Sequence, residues 1–126
     1  MGLDNGIILE TKEPPLKGGF RELKYEIKDA PVNEFEIIYW RKQWDLRNKI
    51  VYEIFDGESE NGMHTLNSRK ISEIIEEIKG FIANNEKEPE FYVDGWLQDI
   101  ANLISLQGYM TNYPDNIIRC YFYDSY

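Results

Sequence analysis

Ile71, Ile74, Ile75, Ile78, Phe81 and Ile82 follow the i, i+3, i+4, i+7 spacing of a helix that is apolar along one side, with Glu73, Glu76, Glu77 and Lys79 opposite. An amphipathic helix cannot complete a core alone, so the rest of the chain must supply the surface that covers those isoleucines. Ser68 is placed to cap its start. Two more helices are predicted. Ile37, Trp40, Trp44, Val51 and Phe55 recur at helical intervals, and Asn33 with Glu36 resembles a capping box, although Phe35, Ile37 and Tyr39 also alternate like a strand. Asp56 and Gly57 end this segment in a turn. The third helix starts at Asp94, carries Trp96, Leu97, Ile100, Leu103 and Ile104, and stops at Gly108.

The remaining segments read as strands and turns. Residues 6–12 hold Ile7, Ile8 and Leu9 at the centre of a first strand, and Pro14, Pro15, Gly18 and Gly19 break regular structure after it. Leu23, Tyr25 and Ile27 alternate with charged residues in a second strand, which could pair with the first as a hairpin. Residues 63–66 form a short strand. Tyr113, Pro114, Asp115 and Asn116 make a turn before a closing strand at 117–123. The result is one α+β domain over residues 1–126, an antiparallel sheet with about three helices packed mainly on one face. Its expected core is Trp40, Trp44, Val51, Ile74, Ile78, Phe81, Leu97, Ile100 and Ile104.

Charge is distributed unevenly. Residues 1–52 carry nine acidic and nine basic side chains, whereas residues 53–126 carry fourteen acidic and five basic, which accounts for the whole net charge of −9. Such a field repels nucleic acid, whose binding depends on neutralising phosphates. It suits solubility or a basic protein partner, and Glu73, Glu76 and Glu77 are the expected partner surface. No apolar run reaches the length of a membrane span, and the start lacks the form of a secretory signal. Cys120 is the only cysteine, which excludes an internal disulfide and fits a reducing cytoplasm.

Three short motifs carry a resemblance: Met1-Gly2-Leu3-Asp4, Tyr39-Trp40-Arg41-Lys42, and the ending Tyr121-Phe122-Tyr123-Asp124-Ser125-Tyr126. In this order they resemble a family of small uncharacterised phage and prophage proteins with a Met-Gly-Leu-Asp start, a Tyr-Trp-Arg-Lys helix and a Tyr-rich final strand. The chain departs from that pattern where Leu46 and Arg47 occupy a stretch that usually holds a histidine, and where Tyr126 replaces a common tryptophan. The resemblance implies an architecture and a phage-type context, with no activity attached.

Catalytic signatures are absent from the sequence. His64 is the only histidine and lies beside no nucleophile motif; it reads as a loop or strand-edge residue. Alternation groups Cys120 with Ile118 and Phe122 as a small core residue. Glu73, Glu76 and Glu77 are more simply a solvated helix face than a metal site, and no metal or cofactor is expected. Basic residues among aromatic ones are different, because Arg41 and Lys42 beside Tyr39, with Asp4 as a possible ion-pair partner, could hold a nucleotide or another anion. Two functions follow: a non-enzymatic protein that binds a macromolecule through an acidic surface, or a small-molecule site around Arg41.

Overall fold

The computed structural model describes residues 4–13, 21–22, 33–41, 43–57, 62–85 and 93–125, with Arg21, Glu22, Arg41, Trp44, Asn85, Val93, Asp94 and Ser125 described in backbone only. Five antiparallel strands form one sheet in the order β2-β3-β1-β5-β4. They are β1 (Asp4–Thr11), β2 (Arg21–Glu22), β3 (Asn33–Arg41), β4 (Met63–Thr65) and β5 (Ile117–Ser125). Among the described residues there are three α-helices, α1 (Trp44–Lys49), α2 (Ser68–Asn85) and α3 (Val93–Asn112). Trp40, Asn5 and Asp124 are successive rungs of β3, β1 and β5, so their side chains share one face of the sheet. Trp40 bonds to α3 and Asp124 to α1, which places both helices on that face, and α2 packs against them. Among the described residues, no helix is long and apolar enough to cross a membrane.

The largest correction concerns residues 33–41. They form a strand, not the first half of a helix, and Asn33 and Glu36 pair with β1 rather than capping anything. Ile7 faces Ile38 while Ile8 faces Glu36, so Ile37 is an extra residue in a β-bulge. The bulge reverses the side-chain alternation. Phe35 lies opposite Leu9 on the helix side, and beyond the bulge Ile38 and Trp40 take that side while Tyr39 turns outward. Mixed spacing of three and two mimicked a helical period.

Helix begins only at Trp44 and passes at Ile50 into a π-helical turn, Ile50–Ile54. Phe55 N–H donates to Ile50 O at 3.3 Å, and Asp56 and Gly57, with φ of +55° and +76°, end the segment. The wider turn buries Ile50, Val51 and Phe55 together against the sheet.

Other corrections are smaller. β2 pairs with β3 at the sheet edge, so no hairpin joins it to β1; the expected strand through Leu23, Tyr25 and Ile27 lies outside the described residues. Asn67 caps α2, its Oδ1 accepting from Lys70 N–H at 2.8 Å, and Ser68 is the first helical residue. Asp94 lies inside α3 rather than at its cap, and α3 runs past Gly108 to Asn112. The core holds Trp40, Val51, Ile74, Ile78 and Ile100 as expected, with Phe81 half-buried at its margin. Leu97 and Ile104, however, are 51% and 57% exposed, because α3 turns Trp96, Ile100, Leu103 and Leu106 inward instead. In β5, Arg119 faces Glu10 but Ile117 faces Thr11, so Ile118 is the odd residue and stays exposed while Cys120 and Phe122 are buried.

Candidate functional site

A polar row crosses the helix side of the sheet where β1 begins. Trp40 Nε1 donates to Asp99 Oδ2 at 2.9 Å, which ties β3 to α3. Burial holds the Asp99 carboxyl above the usual carboxylate range, and the indole N–H only partly offsets this. At the other end of the row, Asp124 Oδ2 accepts from Arg47 Nε and Nη2 at 2.8 and 2.6 Å. Its Oδ1 faces His64 Nε2 at 3.3 Å. Between these groups lies Asn5, fully buried, with neither amide atom hydrogen-bonded among the described residues.

An imidazole beside a carboxylate suggests acid–base chemistry, but the surroundings argue for fastening. His64 is 4% exposed and packs between Phe55 and Phe122, with ring centroids at 4.7 and 5.6 Å. Both Asp124 oxygens are occupied, and Asp124 N–H donates to Gly62 O at 2.9 Å. The cluster holds α1 and β4 onto the end of β5, and breaking one arm would leave a buried charge without its partner. His64 therefore lies in the edge strand β4, as the sequence reading allowed, but its side chain is buried in the interior. Cys120 is equally withdrawn, with burial pushing its thiol up to about 12.

The opposite face of the sheet presents a different chemistry. In its middle, Arg119 grips Glu10 with two bonds of 2.8 and 3.0 Å and lies 4.6 Å over the Tyr121 ring. Toward the start of β1 the face becomes exposed. There the Tyr39 hydroxyl donates to Asp4 Oδ1 at 2.5 Å. Gly6 separates Tyr39 on one side from Tyr123 on the other, and a Cβ at Gly6 would come within 2.2 Å of Ile38 O and 3.2 Å of Tyr123 Cε1. The glycine thus lets two phenols flank a bare stretch of backbone. Burial, followed by the charge of Glu36 and the nearness of Tyr39 and Asp4, raises the Tyr123 hydroxyl well above its ordinary value.

The residues singled out from the sequence fall in two places. Asp4 and Tyr39 meet on this outer face, and Arg41 stands opposite Asp4 in the backbone register. Lys42 lies outside the described residues. Glu73, Glu76 and Glu77 lie along α2, each beside a cation: Arg69 at 3.9 Å, Lys79 at 3.3 Å and Lys49 at 4.0 Å. Burial and the neighbouring Glu53 raise the Glu77 carboxyl. Glu77 also borders a cleft of about 320 Å³ between α1 and α2, over Lys49 and Phe81.

Glu36 and Tyr123 were not anticipated as site residues, because only the strand register sets Tyr123 level with Tyr39 across Gly6 and Glu36 level with Ile8, next along β1 on the same face. That register also gathers the three motifs behind the family resemblance. Asp4 is level with Arg41 on one side and Ser125 on the other, and Gly6 with Tyr39 and Tyr123. No known protein family, curated protein or solved structure matches the chain.

Proposed function

We propose that the protein acts by binding a cationic segment of a macromolecular partner, without chemistry of its own, at the Asp4–Tyr39–Glu36–Tyr123 end of the outer sheet face. The observation that carries this reading is the convergence of three sequence-distant motifs on adjacent strands at that end. The described side chains there are two carboxylates and two phenols, a set that attracts an ammonium or guanidinium group through charge and the faces of the rings. A net charge of −9 steers such a partner toward the molecule. The α2 glutamates stand beside cations at 3.9, 3.3 and 4.0 Å, and Asp4 and Glu36 likewise stand level with Arg41 and Arg21 in the strand register. The resemblance to small phage and prophage proteins agrees with an accessory binding role.

The test compares variants of equal net charge. Asp4→Asn with Glu36→Gln should weaken binding of lysine- and arginine-rich peptides several-fold in titration calorimetry, and Tyr39→Phe should weaken it without any change in charge. Glu73→Gln with Glu76→Gln should have a smaller effect. Equal losses from the two charge-matched pairs would show that binding follows overall charge, not this surface. Nucleotide binding abolished by Arg41→Ala would favour the anion site instead.

A further inference from the structure

We infer that the cleft between α1 and α2 binds a free basic amino acid, lysine or arginine, with its zwitterionic head on Lys49 and Glu77 and its side-chain cation at Asp45. The cleft measures about 320 Å³, at the small end of ligand pockets, and its walls combine charged, amide and aromatic side chains. It lies among the helices, away from the outer face where Asp4 and Tyr39 meet.

The head is recognised by an ion pair left loose. Lys49 Nζ and Glu77 Oε2 stand 4.0 Å apart, too far for a hydrogen bond, and both line the cleft. Burial raises the Glu77 carboxyl and the neighbouring Glu53 adds to the effect, while Lys49 offsets it least. The carboxylate is thus short of positive donors. An α-amino acid carries an ammonium beside a carboxylate, the same two charges in reverse. Laid against this pair, it gives each charge an opposite neighbour. Asn48 completes the carboxylate side. Its Oδ1 accepts from Arg47 Nη1 at 2.9 Å, which turns the amide so that Nδ2 is left to donate beside Lys49.

The rest of the cleft suits a cationic side chain. Asp45 precedes Lys49 by one helical turn, about 6 Å along α1, which a four-carbon stem spans. Phe81 gives that stem an apolar wall, and the ammonium or guanidinium reaches Asp45 and Asn84. Asn84 belongs to the last turn of α2, which carries no basic residue, so the negative end of the helix dipole adds to Asp45. Asp45 and Glu77 against Lys49 leave the cleft one negative charge, the complement of the one positive charge on lysine or arginine at neutral pH.

Gly80 is a separate observation in favour of a ligand. Glycine inside a helix is less stable than alanine, and a Cβ at Gly80 would meet nothing within 4 Å. Packing among the described residues does not require it. Gly80 lines the cleft between Glu77 and Asn84, and its missing side chain keeps that wall open for the stem.

Titration calorimetry of the full chain with free amino acids tests the site. Lysine and arginine should bind. Norleucine keeps the head but lacks the side-chain charge, and should bind about tenfold more weakly through loss of one charge-assisted contact. Nα-acetyl-lysine amide keeps the side-chain cation without the head charges, and should not bind measurably. Asp45→Asn should weaken lysine binding and leave norleucine unaffected, whereas Lys49→Gln should weaken both. Gly80→Ala should raise the melting temperature of the unliganded protein yet weaken lysine binding, a combination that unfolding cannot produce. Asp4→Asn with Glu36→Gln should leave lysine binding unchanged, which separates this cleft from the outer face. No saturable binding of lysine or arginine, acetyl-lysine amide binding as tightly as lysine, or wild-type lysine binding by Gly80→Ala would each overturn the proposal.

Discussion

Asp99 is on α3, in contact with a core tryptophan, and its position creates a conflict between solvation and hydrogen bonding. Burial raises its folded-state pKa above the unfolded one, so folding favours the protonated carboxyl. That contribution is complete below the ordinary carboxylate pKa and is lost as pH rises through the folded value. At neutral pH the wild type therefore holds a poorly solvated charge, and Asp99→Asn removes it while keeping an oxygen to accept from Trp40. The variant should show a higher urea midpoint than wild type at pH 7, and the gap should narrow toward pH 3. A lower midpoint at pH 7 would mean that the charged hydrogen bond outweighs the desolvation. At this scale the sequence was informative about Cys120, whose alternation with Phe122 correctly marked a core residue. It was silent on Asn5, Asp99 and Asp124, because a buried polar group is defined by what stands across from it, and no local pattern records that.

Elements were legible wherever one period ran uninterrupted. Throughout α2 the apolar residues keep helical spacing, and in β1 and β5 the apolar centres survive as strands. β3 was misread because its bulge at Ile37 combines two strand phases into an apparent helix. In α3, outward Leu97 and Ile104 are as apolar as inward Ile100 and Leu103, so composition did not reveal which side faces the sheet. The two helices accordingly predict different sensitivities. Ile78→Ala, at a fully buried site of α2, should cost about 2–5 kcal/mol of unfolding free energy through lost transfer energy and a residual cavity. Leu97→Ala, on the open side of α3, should stay within about 0.5 kcal/mol. Denaturant titration of both variants in dilute solution is the check, and a large loss at Leu97 would mean that α3 packs by its other side.

For the molecule as a whole, the decisive quantity is an excess of acid that its ion pairs do not neutralise. Surface pairs such as Lys79 with Glu76 and Arg69 with Glu73 are well exposed and contribute about 0–1 kcal/mol each at most, before any screening. The Arg47–Asp124 bond is buried, so dissolved ions hardly reach it. Repulsion among the excess carboxylates acts over the whole surface and is screened readily. Salt should therefore relieve more repulsion than it removes attraction, and the fold should become more stable. Raising sodium chloride from about 0.01 M to about 0.2 M shortens the screening length from about 30 Å to under 10 Å, and the melting temperature at pH 7 should rise across that range. Near the isoelectric point of about 4.6 the excess vanishes, and the rise should vanish with it. A melting temperature that falls with salt at pH 7 would show that the surface ion pairs, weak one by one, outweigh the net charge.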